Sequence, residues 1–127
     1  MNTRITVLIV EDEALIRMGA VGMVLDAGFD ALEASNADEA ICILEARSDI
    51  YLVFTDIQMP GTMDGIKLAH YVRERWPPVR LIVVSGDARV REGDLPVGAR
   101  FFAKPYRESA VAGAMMSMLS SPAASPR

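Results

Sequence analysis

Cysteine, histidine and tryptophan each occur once in these 127 residues, and aromatic residues make up only 6% of the chain. A lone cysteine, Cys42, excludes an internal disulfide and a metal centre built on thiolates, and it fits a reducing compartment. Positive charge is not in excess: 13 Lys and Arg face 17 Asp and Glu, for a net charge of −4. A direct nucleic-acid or anionic-membrane ligand would need a basic face, so direct DNA binding and membrane binding are not expected. No apolar run approaches the ~20 residues of a membrane span. No long apolar signal segment precedes the first strand-like run, and a cytoplasmic location is expected.

What is present is an ordinary globular balance, with 51% hydrophobic and 24% charged residues, in a length suited to one domain. Short apolar runs alternate with longer helical ones. Ile5 to Val10 reads as a buried strand, and Ala14 to Ala27 as a helix stopped by Gly28. Phe29 to Ala34 is a weaker strand suited to a sheet edge. Asn36 offers an N-cap, with Glu39 three residues on, for a helix to about Ala46. Ile50 to Thr55 is the third strand. A helix from about Asp64 is halted by Trp76-Pro77-Pro78. Val79 to Ser85 and Ala99 to Ala103 are strands four and five, and Tyr106 to Leu119 is the closing helix. Residues 1–120 are expected to form the domain, and the polar tail 121–127 to be disordered. The alternation predicts right-handed βαβ units and a parallel sheet covered on both faces.

Ligands of an open parallel sheet bind beyond the carboxyl ends of its strands. Glu11 and Asp12 follow strand one, and Asp56 follows strand three. Ser85 ends strand four, with Gly86 and Asp87 next, and Lys104-Pro105 follows strand five. Three carboxylates, a hydroxyl and an ammonium therefore meet at one rim. Clustered carboxylates raise one another's pKa unless a cation neutralises them. An oxygen-only donor set favours a hard ion, and Mg²⁺ suits one or two carboxylates, waters and a phosphate oxygen. A carboxylate can also serve as a nucleophile and form an acyl phosphate.

On Glu11-Asp12 after LIV, Asp56 in FTDIQMPG, Ser85 in VVSGD and Lys104-Pro105 in FFAKPY, the sequence resembles the CheY-like receiver domains of bacterial two-component response regulators, over about residues 5 to 119. The resemblance implies a flavodoxin-like, doubly wound (βα)5 fold with strand order 2-1-3-4-5. It implies phosphorylation of Asp56 by a sensor histidine kinase or a histidine phosphotransfer protein. Glu11, Asp12, Asp56 and the backbone carbonyl of Gln58 are the implied Mg²⁺ ligands. Lys104 is the implied phosphate-binding lysine, with a cis bond to Pro105. Ser85 matches the switch hydroxyl, and Phe101 stands at the switch-aromatic position. Gln58 and Asp87 fall where the family tunes the lifetime of the phosphoryl group. The expected function is that of a single-domain response regulator that acts on an unknown downstream protein, or as a phosphate sink or shuttle.

Two departures from the family pattern stand out. The loop MPGTMDG is one residue longer than the common MPxMDG. Gly93 and Pro96 break the segment between strands four and five and leave room for about two turns of helix, which predicts a shortened fourth helix and an altered output surface.

The first helix is unusually apolar. Ile16, Ala20, Met23, Val24 and Ala27 suit the sheet-facing side, while Met18, Val21, Gly22 and Leu25 form a second stripe. That second stripe predicts a docking or self-association face, including a homodimer through Met18, Val21 and Leu25. His70 is expected on the surface, Cys42 is expected to pack in the second helix, and Val111, Met115, Met118 and Leu119 are expected mostly in the core. A phosphatase with an aspartyl nucleophile would need a second acid where Gln58 stands. A dinucleotide carrier would need a glycine-rich loop after strand one. A docking-only domain would not need the full polar set.

Overall fold

A computed structural model describes residues 4–61 and 63–120. Thr62, in the loop after Asp56, and the tail 121–127 lie outside the described residues. Five strands, β1 (Thr6–Val10), β2 (Asp30–Ala34), β3 (Ile50–Asp56), β4 (Arg80–Ser85) and β5 (Arg100–Ala103), form one parallel sheet of order β2-β1-β3-β4-β5. Four helices, α1 (Ala14–Asp26), α2 (Ala37–Ala46), α3 (Gly65–Arg75) and α4 (Glu108–Leu119), cover it. This is the flavodoxin-like fold, and β2 lies at an edge as its weaker pattern predicts.

The alternation of side chains along the central strands fills two cores. Leu8, Val53, Leu81 and Val83 pack with Leu44, Leu68 and Val72 beneath α2 and α3. Val7, Ile9, Leu52 and Phe54 pack with Met23, Val24, Val111 and Met115 beneath α1 and α4. Each fully buried aliphatic side chain contributes roughly 1.5–3 kcal/mol relative to exposure.

Local chemistry sets the ends of the helices. Asn36 accepts a hydrogen bond from the Glu39 N–H at 2.8 Å, and the Glu39 carboxylate reaches back to the Ser35 N–H at 2.8 Å. Asp64 caps α3 by accepting from the Lys67 N–H. Gly28 adopts φ +97° just past α1, a conformation that favours glycine. Arg73 donates to the Pro77 carbonyl and pins the turn into β4.

The fourth crossover is shorter than two turns: a single 3₁₀ turn, Glu92–Asp94, lies between β4 and β5. Gly93 in its middle and Pro96 just beyond it prevent its extension. Leu95 and Pro96 are buried, whereas Val97 is almost wholly exposed. His70 is exposed, and its Nε2 lies 2.9 Å from the Asp94 carbonyl.

Two expectations are corrected. Cys42 is exposed rather than packed, because Ala40 and Leu44 take the buried face of α2. Ile16 is 41% exposed rather than sealed against the sheet; it lies in the first turn of α1 and borders an open groove. The closing helix behaves as expected, with Val111, Met115 and Leu119 buried and Met118 packed at their margin.

Candidate functional site

The carboxyl ends of β1, β3, β4 and β5 converge at one rim of the sheet. Glu11 and Asp56 are buried there, at 4% and 6% exposure, while Asp12 faces solvent. One carboxylate oxygen from each of Glu11, Asp12 and Asp56 lies within 4.8 Å of the others. The Lys104 ammonium stands 3.1 Å from Asp56 Oδ2 and 3.6 Å from Glu11 Oε1. Ser85 is buried at the end of β4. Every polar residue that the sequence assigned to the rim, Glu11, Asp12, Asp56, Ser85 and Lys104, is thus brought there by the end of its own strand.

The backbone holds these groups in place. The Ile57 N–H lies 3.0 Å from the Val84 carbonyl and 2.8 Å from Asp56 Oδ1, so one donor serves both the strand ladder and the carboxylate. Glu11 Oε2 accepts from the Glu13 N–H at 3.1 Å. The Lys104 N–H donates to the Ser85 carbonyl at 2.9 Å, and the Lys104–Pro105 bond is cis, as the resemblance implies. Gly65, the first residue of α3, lies directly against the backbone of Asp56 and Ile57, and its N–H donates to the Ile57 carbonyl at 2.8 Å. Only a glycine fits at this approach.

Charge is finely balanced. Burial raises the Glu11 carboxyl above its ordinary value; the Glu13 N–H opposes this, Asp56 adds repulsion, and Lys104 lowers it again. Burial alone would lower the Lys104 ammonium, but its hydrogen bond with Asp56 and the charges of Asp56 and Glu11 outweigh that and hold it above its ordinary value. Oxygen donors alone, two of them buried, fit a hard divalent cation, and Glu11, Asp12 and Asp56 are the side chains that could hold one.

Around this centre, Ser85 Oγ accepts from the Asp87 N–H at 3.0 Å. Arg89 grips Asp87 with Nε–Oδ1 and Nη2–Oδ2 distances of 3.0 and 2.8 Å. The Arg89 side chain, then its backbone N–H, lowers the Asp87 carboxyl to about 2. Asp12, Gln58 and Asp87 line an open pocket with Met59, Asp64 and Val90. Phe101 is half-buried in the core beneath α3.

Three contributors escaped sequence reasoning. Arg17 donates to the Glu11 carbonyl at 2.8 Å and pairs with Glu33 at 2.9 Å, fixing the loop after β1. Gly65 carried a signal, the Asp64-Gly65 pair opening a helix. Tyr106 packs edge-on to Phe54 and lines a groove of about 490 Å³ beside Lys104, between α1 and the start of α4. Burial raises its phenol above the ordinary value.

Residues 7–115 match the family described as "Response regulator receiver domain". The chain is 37% identical over 120 residues to the sensor kinase CckA of Brucella abortus, covering 90% of this chain and 12% of that protein. It is 41% identical over 81 residues to the hydrogenase transcriptional regulatory protein HoxA of Cupriavidus necator, covering 64% of this chain and 16% of HoxA. The chain therefore spans less than a fifth of either relative. Among solved structures, a response regulator receiver protein from Sinorhizobium medicae superposes with a TM-score of 0.86 at 26% identity, covering 93% of this chain and 96% of that one. The receiver domain of the hybrid histidine kinase CckA gives 0.75 at 29% identity, covering 90% and 98%.

The chain belongs to the receiver domain family of two-component response regulators, a class of phosphoacceptor signalling domains. Domains of this family are phosphorylated by histidine kinases.

Proposed function

We propose that Asp56 accepts a phosphoryl group from a phosphohistidine of a sensor kinase or a phosphotransfer protein. A carboxylate oxygen attacks phosphorus, a P–O bond forms and the donor's P–N bond breaks, and its electron pair returns to the imidazole nitrogen. The observation that carries this reading is the Lys104 ammonium held against both Asp56 and Glu11. At rest it compensates two buried carboxylates, and after transfer it is placed to meet a phosphoryl oxygen.

Glu11, Asp12, Asp56 and the Gln58 backbone carbonyl would hold Mg²⁺. When bound, the ion supplies charge neutralisation at the phosphoryl oxygens. The residues of the chain do the rest. Ile57 N–H fixes one oxygen of Asp56. Arg17 and the Glu13 N–H hold the loop that presents Glu11 and Asp12.

Ser85 is the switch hydroxyl in this reading. Its oxygen now accepts from the Asp87 N–H, and its proton is free to turn toward a phosphoryl oxygen. Phe101, half-buried against the core beneath α3, is the aromatic that would respond. The output is a changed protein-binding surface, and the chain serves as a binding module or a relay shuttle within the cytoplasm. Gln58 cannot replace the second acid of an aspartyl phosphatase, which disfavours an enzyme that turns over many phosphoesters.

The test is incubation with a small acyl phosphate and Mg²⁺. Acid-stable, base-labile phosphate should appear on the wild type and be lost in Asp56→Ala. Absence of incorporation would leave a docking-only domain, and rapid turnover of varied phosphoesters would make the chain an enzyme.

A further inference from the structure

The amino ends of the strands form the pole of the sheet opposite Asp56, and charge is matched on only one side of that pole. At β2, Arg4 pairs with Asp30 at 3.3 Å, and just before β3, Arg47 pairs with Asp49. Strands β4 and β5 also open on arginines, Arg80 and Arg100. Among the described residues neither has an acidic partner, and nor does Arg73 in the last turn of α3. The register sets Arg100 beside Ile82, two residues along β4 from Arg80, so both arginines project from the same face of the sheet.

These three guanidiniums are held in place without being neutralised. Arg73 Nη1 donates to the Pro77 and Val79 carbonyls at 2.9 and 3.3 Å, while its buried Nε has no hydrogen-bond partner among the described residues. Burial, then the charge of Arg80, lowers the Arg73 guanidinium below its ordinary value, as expected of a cation that faces another cation and no anion. Arg80 reaches the Pro78 carbonyl at 3.4 Å. Arg100 is exposed, and its guanidinium lies over the Phe102 ring at 5.5 Å, which orients it. Each retains N–H groups free for a planar, two-oxygen acceptor.

We propose that Arg73, Arg80 and Arg100 form a docking patch for the carboxylates of a short acidic protein segment. Arginine takes a carboxylate through two parallel N–H···O bonds, a geometry that the Arg47–Asp49 pair already shows at this pole. The charge of the remaining surface selects a short acidic segment over nucleic acid. Residues 1–72 carry 4 of the 13 Lys and Arg but 12 of the 17 Asp and Glu, so a long polyanion leaving the patch would run onto a repelling surface. A short segment stays within the patch. The patch stands at the far pole from Asp56 and needs no phosphate chemistry, so it and the phosphoacceptor reading fail separately.

Fluorescence anisotropy of a labelled oligoglutamate peptide, titrated with the full chain at about 50 mM salt, tests it. Binding is expected with a dissociation constant of about 10–100 µM, weakening as salt rises. Arg80→Gln with Arg100→Gln should weaken it by at least about tenfold. Arg4→Gln with Arg47→Gln removes the same charge from the matched side of the pole and should change it by less than about twofold. Arg73 is kept in every variant because it pins the turn into β4. Arg100→Glu alone guards against misfolding: the side chain is exposed, so the variant should melt like the wild type yet bind at least about fivefold more weakly. Absence of binding at about 1 mM protein overturns the proposal, as do equal losses from the two double variants, an unaffected Arg100→Glu, or tighter binding of a single-stranded oligothymidylate of matched charge.

Discussion

A Cβ placed on Gly65 would collide with the carbonyl oxygen of Asp56 and stand 2.6 Å from the Cα of Ile57. The start of α3 is therefore locked to the residue at the centre of the site. Gly65→Ala must push the helix away or bend the end of β3. It should cost about 1–3 kcal/mol in urea unfolding, the usual range for overpacking. Gly86→Ala is the control, since its Cβ would meet only the Lys104 Cβ, at 4.0 Å, and it should unfold like the wild type.

The Arg89 guanidinium should be visible in the titration of Asp87. A depressed pKa gives a favourable contribution that is present above the ordinary value of 3.8 and lost as pH falls through about 2. The side-chain carboxyl carbon of Asp87, followed by NMR, should titrate near 2 in the wild type and move toward 3.8 in Arg89→Ala. Because the Arg89 side chain is 90% exposed, high salt should narrow the difference.

Divalent cation should stabilise the folded chain. Glu11, Asp12 and Asp56 converge only when β1 and β3 are paired, so the unfolded chain offers no equivalent site. Mg²⁺ at a hundredfold excess over its Kd should add about 2.7 kcal/mol, read as a rise in melting temperature. Asp12→Asn should shrink that gain. Because Asp12 is exposed, it should do so without lowering the stability measured in chelator.

Met18→Glu with Leu25→Glu should separate two kinds of phosphate donor. Both side chains are exposed, so the variant should fold and accept phosphate from a small acyl phosphate at the wild-type rate. Transfer from a cognate protein donor should slow if that donor uses the outer face of α1. Equal rates from both donors would remove this face from donor recognition.

Four strands and the polar rim were legible because β1, β3, β4 and β5 are largely apolar runs that give way abruptly to a charged or hydroxyl residue, and parallel topology carries every such ending to one side. Distances within the site were not legible. That Lys104 touches both Asp56 and Glu11 depends on how β5 seats beside β4. Arg17 read only as a charge on an apolar helix, since its partners, the Glu11 carbonyl and Glu33, meet it through the pairing of β1 with β2. The fourth crossover was legible as short, but Gly93 and Pro96 fix where a helix breaks and not whether one starts. Cys42 shows the limit of composition: a small apolar side chain is buried on average, but its position on α2 is set by Ala40 and Leu44, which own the inner face.

The amide of Ile57 divides its hydrogen between Val84 and the carboxylate of Asp56. Any change in the charge on that carboxylate redistributes the sharing, and the proton records it. A single buried backbone resonance, set at the rim of the sheet just past the end of β3, thus works as a gauge of what sits on Asp56, readable in the intact protein without antibody or radioactive phosphate.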